Sequence, residues 1–184
     1  IKKLDLLCKV NGFAEKEIKK NWKKYAISTR FDSKEIRYVK GVLQNMSPIN
    51  VRYKILNDLF KNFVKLEPKT LSKNFYLSLN DIKDLLDNEM YIGGHGYNHL
   101  WMNKENKDIQ KKEVNLTLKF LKKIKAQTNN WIMCYPFGSY NSDTISILKK
   151  KKCIAALTVK LGINKISSKN LFELTRFDTN DFPK

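Results

Sequence analysis

Trp131-Ile132-Met133-Cys134 runs into Tyr135-Pro136-Phe137-Gly138-Ser139-Tyr140-Asn141, then Ser142 to Lys151, then Cys153 to Val159. This stretch decides the fold. The first four residues read as a strand, and Pro and Gly mark the next seven as a shaped turn. Ile145, Ile147 and Leu148 give the third piece an apolar helical face, and Cys153 to Val159 reads as a second strand. Upstream, Asn106 to Gln127 reads as a long amphipathic helix, with Ile109, Val114, Leu116, Leu118, Phe120, Leu121 and Ile124 against many lysines. Before it, Met90-Tyr91-Ile92-Gly93 looks like a strand with a glycine end, and Leu171 to Phe177 is a last extended piece. Strand and helix alternate at the spacing of βαβ units, which predicts an α/β fold with a parallel sheet. Functional loops in such sheets lie at the carboxyl ends of strands.

Residues 1–70 have a different rhythm and read as mostly helical. Glu15 to Lys24 is one predicted helix with its lysines on a solvated face. Asp32 or Ser33 can cap another, running to about Asn45 with Ile36, Val39, Val42 and Leu43 on one stripe. Ser47-Pro48 predicts a new helix with Pro in its first position, carrying Val51, Ile55, Leu59 and Phe63 until Pro68 stops it. Phe75-Tyr76-Leu77 reads as a short extended piece, and Asn80 to Asn88 as a short helix.

The chain has 184 residues, 42% of them hydrophobic. That suffices for an ordinary core and excludes a disordered tail, a collagen-like fibre and a disulfide-stapled miniprotein. No apolar run is long enough for a transmembrane segment. The net charge is +18, yet only Arg30, Arg37, Arg52 and Arg176 are arginine. Phosphate readers lean on the planar guanidinium fork. Together with 19 asparagines, the lysine excess reads as compositional drift over solvated faces rather than a nucleic-acid surface. Cys8, Cys134 and Cys153 share no ligand-like spacing, which argues against a disulfide framework and, with no leader visible ahead of Ile1, leans to a cytoplasmic setting.

The sharpest motif is Gly93-Gly94-His95-Gly96-Tyr97-Asn98-His99, directly after a predicted strand. It holds the chain's two histidines, four apart, which one helical turn would place on one side so that both reach one ion. Imidazole suits zinc and other late first-row divalent ions. The second motif is the Tyr135–Asn141 loop, whose backbone amides can face an oxyanion and whose aromatic rings suit a sugar. Either motif alone is also compatible with an ordinary turn. Together they sit at the same end of the predicted sheet.

Gly-His-x-x-x-His after a strand, followed some 40 residues later by Tyr-Pro-Phe-Gly-x-Tyr-Asn, resembles the polysaccharide deacetylases of the NodB-like carbohydrate esterase group. The ending from Leu174 to Pro183, and the pieces Lys40 to Gln44 and Asn50 to Arg52, are similar to segments in one branch of that family. The resemblance implies a partial or distorted (β/α) barrel over residues 71–184, with residues 1–70 a helical insertion or cap on its N-terminal side. It implies a bacterial hydrolase that removes acetyl groups from N-acetylated sugars or polysaccharides with a divalent metal, zinc first. His95 and His99 would be two of three protein ligands. Phe137 would offer its backbone N–H to the oxyanion, and Tyr135, Pro136 and Tyr140 would shape the acetyl and sugar pocket. Arg176 and Asp178 would be supporting polar residues.

Two family motifs are missing from this chain. There is no Asp-Asp pair, the expected source of the catalytic base and third ligand, and no third histidine for the Leu-x-His motif. Asp5 lacks the right context, and Asp32 fits a helix cap better. Cys134 stands where many members carry an arginine. A chain that begins after the first motif and stops before the last is one expectation. A non-catalytic, deacetylase-like glycan-binding domain is the alternative, with a basic nucleic-acid-binding protein behind it. A two-histidine site is expected to hold metal weakly.

Overall fold

The computed structural model describes residues 1–29, 31–46 and 48–182. Its helices are α1 (Lys2–Val10), α2 (Glu15–Tyr25), α3 (Lys34–Asn45), α4 (Ile49–Phe63), α5 (Pro68–Phe75), α6 (Leu79–Asp87), α7 (Lys107–Lys123) and α8 (Ser142–Lys150). The strands are β1 (Trp131–Cys134) and β2 (Cys153–Leu157). The chain divides into two units, Ile1–Tyr76 and Leu77–Lys184.

The first unit is helical. Leu4 and Cys8 of α1, Ile18 of α2, Tyr38 and Val42 of α3, Met46, and Ile55 of α4 form its core. A Cβ on Gly41 would lie 2.5 Å from the Tyr25 ring, so glycine lets α3 close on the end of α2. Ser33, not Asp32, caps α3, its hydroxyl accepting from the Ile36 N–H. The Asp32 carboxylate instead accepts from Lys40 Nζ, at 2.8 Å to each oxygen. Asp5 accepts from the Tyr38 hydroxyl at 2.5 Å. Several expectations change. Ile36 and Phe63 are exposed, because tertiary packing picked Tyr38 and Ile55 for the core. Pro48 is the cap residue of α4 rather than its first helical residue, and Ser47, expected as the cap, lies outside the described residues, as do Arg30 and Pro183. Pro68, expected to stop α4, does not: α4 ends at Phe63 and Lys65 turns left-handed before it, while the fixed φ of Pro68 starts α5, which takes in Phe75 and leaves Tyr76 extended.

The second unit is α/β. Ser78 and Asp81 form a reciprocal cap on α6, Asn106 caps α7, and Asn141 and Thr144 form a reciprocal cap on α8. Strands β1 and β2 pair in parallel. The sheet is extended on each side by one parallel bridge, Gly94 with Met133 and Leu157 with Leu174. The order across the sheet is therefore the Gly94 segment, β1, β2 and the Leu174 segment. Met90–Gly93 is extended, but only Gly94 meets β1, through Gly94 N–H to Ile132 O at 2.9 Å and Cys134 N–H to Gly94 O at 2.8 Å. Four parallel segments are half of the eight that close a barrel. The described residues accordingly show a short open sheet rather than a closed barrel.

The core of this unit joins Trp131, Met133 and Tyr135 to Val114 and Leu121 of α7 and Ile147 and Leu148 of α8. Burying each large apolar side chain contributes about 1.5–3 kcal/mol. On α7 the buried stripe is Gln110, Glu113, Val114, Thr117 and Leu121. Ile109 and Phe120, expected inside, are 37% and 38% exposed.

Candidate functional site

The site is built at the carboxyl ends of the Gly94 segment and β1. Residues 95–99 form a loop rather than the expected helical turn. Two left-handed residues shape it, Gly96 with φ 75° and His99 with φ 54°. His99 is a non-glycine residue in a costly region, as is Phe137 with φ 57°, and such residues concentrate at functional sites. A Cβ on Gly96 would stand 3.0 Å from Pro136, so the two loops meet closely at this point.

The loop brings the two imidazoles together. His95 Nε2 and His99 Nε2 are 3.1 Å apart, and both residues are solvent-exposed. His95 Nδ1 lies 2.8 Å from the carbonyl of Cys134, to which it donates as Nδ1–H, and this turns Nε2 toward His99 Nε2. Burial, then the neighbouring His95, push the His99 imidazole below its ordinary value. Both effects favour the neutral, ligating ring. At a metal–nitrogen length of about 2.0–2.1 Å, two tetrahedral corners are about 3.3 Å apart. The pair therefore fits two corners of one ion. Among the described residues, no group of three or more His, Cys, Asp or Glu comes together.

The second wall is the Pro136 loop. The Gly138 N–H donates to Tyr135 O at 2.9 Å, with Pro136 and the left-handed Phe137 between them, the signature of a type II turn. Gly138 also has positive φ, and a Cβ there would run into the Val159 side chain. The Phe137 ring stacks on Trp101 at 4.3 Å with 5° between planes and meets the His99 edge at 4.6 Å. Among the described residues, the Phe137 N–H donates to no partner. The Trp101 indole N–H is buried and likewise without one. Ser139, buried, ties the loop back by accepting from Asn103 N–H and donating to Asn103 Oδ1.

Tyr135 and Tyr140 stack at 4.5 Å. Tyr135 is fully buried and donates to Phe172 O, while Tyr140 donates to Glu173 Oε1 at 2.7 Å. Burial raises both phenols, and the Glu173 bond helps push Tyr140 up to about 12. Both stay neutral donors, and Tyr135 serves the core beneath the loop. Arg176 and Asp178 follow the Leu174 bridge, and Arg176 N–H donates to Lys160 O. In the sheet order Leu174 stands three strand spacings from Gly94, about 14 Å.

One residue escaped the reading of the sequence. Glu113, 2% exposed, accepts from the backbone N–H groups of Tyr97 and Asn98 at 3.1 and 2.8 Å. Asn98 Nδ2 donates to its other oxygen. Its signal was a set of polar residues, 110, 113 and 117, at helical spacing with Val114 and Leu121.

The polysaccharide deacetylase family matches residues 59–155, just over half of the chain, and the match takes in the histidine loop and the Pro136 loop. The chain belongs to the polysaccharide deacetylase family. A solved structure of a Streptococcus pyogenes deacetylase, PplD, in complex with acetate, is similar to this family member at 27% identity with a TM-score of 0.49. The similarity covers 54% of this chain and 43% of that one, so the chain spans under half the length of that relative. No curated protein matches it.

Proposed function

We propose that this chain carries part of the active site of a metal-dependent hydrolase that removes acetyl groups from N-acetylated sugars or polysaccharides. One observation carries the reading. Two imidazoles converge with Nε2 atoms 3.1 Å apart, one pinned by the Cys134 carbonyl, beside a loop whose Phe137 N–H has no partner among the described residues. His95 and His99 would hold the ion, zinc first. Such an ion, when bound, supplies Lewis acidity and an acidified water. The Phe137 N–H faces the carbonyl oxygen as negative charge develops there, and Pro136, Phe137 and Tyr140 bound the sugar side. Asp5 is engaged by Tyr38 and Asp32 by Lys40, so neither is assigned as the base. The four parallel segments are read as part of a distorted (β/α) barrel, beside residues 1–70 as a helical insertion.

The test is zinc binding by equilibrium dialysis, paired with acetate release from N-acetylated oligosaccharides. One ion per chain is expected, weakened by about tenfold or more in His95→Ala and in His99→Ala, a difference of about 1.4 kcal/mol. Equal zinc affinity in the doubly substituted chain would overturn the site. The competing reading, a glycan-binding domain without catalysis, draws on the lack of a third ligand among the described residues. It predicts glycan binding with no acetate released at any zinc concentration.

A further inference from the structure

We propose that Glu113 is a positioning residue that sets the spacing of the His95–His99 pair. It sits in the middle of α7, on the buried stripe with Gln110, Val114 and Thr117. A buried carboxylate needs several donors. All three that Glu113 receives come from the two residues at the centre of the histidine loop. Tyr97 and Asn98 N–H groups donate to Oε2, and Asn98 Nδ2 donates to Oε1. The Thr117 hydroxyl donates to the Glu113 carbonyl one turn on, so α7 presents the carboxylate from a braced helix.

The loop has few other ways to hold its shape. Its ends are the two ligands, and it carries left-handed residues at Gly96 and His99. The successive N–H groups of Tyr97 and Asn98 point to one side and need one acceptor there. Glu113 fills that place and fixes the loop at its midpoint. His95 is fixed separately, through Nδ1 to the Cys134 carbonyl. With one ligand pinned to β1 and the loop pinned to α7, His99 has one place to go, 3.1 Å from its partner. The role is geometric and does not depend on the carboxylate's charge. A glutamine can reproduce it, with Oε1 accepting from both backbone N–H groups and Nε2 donating to a flipped Asn98 amide.

The metal arm of the test rests on the proposed function, whereas the ring arm does not. In the 184-residue chain, zinc affinity is measured for the unaltered protein, Glu113→Ala, Glu113→Gln, Asn98→Ala and the core control Val114→Ala. The same proteins, free of metal, are examined by NMR for the through-space contact between the two imidazoles and for exchange of the Tyr97 and Asn98 amides. Glu113→Ala is expected to lose the ring contact, expose both amides to exchange and weaken zinc by about 10–100-fold, the range for residues that orient ligands. Glu113→Gln is expected to stay within about threefold of the unaltered chain, by retaining the three contacts. Asn98→Ala, on an exposed residue, keeps both backbone bonds and is expected to fall between them, which preserves the test if Glu113→Ala does not fold. Val114→Ala should lower the unfolding midpoint with the ring contact and zinc affinity unchanged. Intact ring contact in a folded Glu113→Ala chain would overturn the proposal, as would ring contact and amide exchange in Asn98→Ala unchanged from the unaltered chain, or loss of the ring contact in a folded Glu113→Gln chain. Should the unaltered chain bind no zinc, the proposed function falls, and the ring contact still decides the role of Glu113.

Discussion

Replacing Gly94 with alanine puts the sheet and the histidine loop under one measurable stress. A Cβ there would lie 2.6 Å from Cζ3 of Trp131 and 3.1 Å from the Thr117 methyl. Trp131 cannot yield, being fully buried with its indole N–H donating to Lys151 O at 2.8 Å. The Gly94 segment must shift instead, and it is held to β1 by two backbone hydrogen bonds. Overpacking of this kind costs about 1–3 kcal/mol. Each weakened ladder bond adds up to about 1 kcal/mol. The total is about 1–5 kcal/mol, which for a chain of this size lowers Tm by about 2–20 °C. The assay is denaturant unfolding of Gly94→Ala, Trp131→Phe and the double variant. Phenylalanine removes the ring atoms that meet the new methyl, so the double variant should be more stable than additivity allows, by about 1–2 kcal/mol. A cost below about 0.5 kcal/mol for Gly94→Ala, or additive effects in the cycle, would refute the claim that indole packing requires glycine beside His95.

Two further expectations concern titrating groups. Burial pushes the Cys8 and Cys153 thiols up to about 11. At pH 8 about one in a thousand is thiolate, so alkylation of the folded chain followed by mass spectrometry should modify Cys134 alone; equal labelling of Cys8 or Cys153 would contradict their burial. For His99, the folded value lies below the unfolded one. The unfolded chain therefore takes the proton first, and the stability from the neutral ring is full above about pH 6.5 and is lost as pH falls through the folded value. NMR titration of the metal-free chain should place the His99 midpoint below the ordinary value. His95→Ala should restore it only in part, since burial is the larger cause. A midpoint at or above the ordinary value would refute this.

Local signals in the sequence were strong where one residue type has one physical use. Asn106 ahead of an amphipathic run starts α7, and Ser33 starts α3, because each side chain accepts from an otherwise unpaired N–H. The Pro136 loop was legible because Pro and Gly restrict and release φ at known places. Pro68 was half legible. Its ring suits the first turn of α5, whereas α4 ends ahead of it where Lys65 turns left-handed, and only the packed chain shows this. Ile109 and Phe120 were misplaced because apolar residues lie on several sides of α7, and the face chosen is the one that meets Trp131 and Met133.

For the site, the amino-acid sequence alone determined which residues are chemically fit to hold a metal, because the chain has two histidines and they stand four apart. It also determined that a Pro-Gly loop comes directly after the neighbouring strand. Only the tertiary structure decided that the two rings converge from a loop rather than a helical turn, with His95 pinned by a carbonyl 39 residues away. The same is true of Glu113, which looks like any solvated glutamate on a lysine-rich helix until α7 packs. Hydrogen bonds between residues distant in sequence depend on which helix face is buried, and that choice is made by the whole core at once.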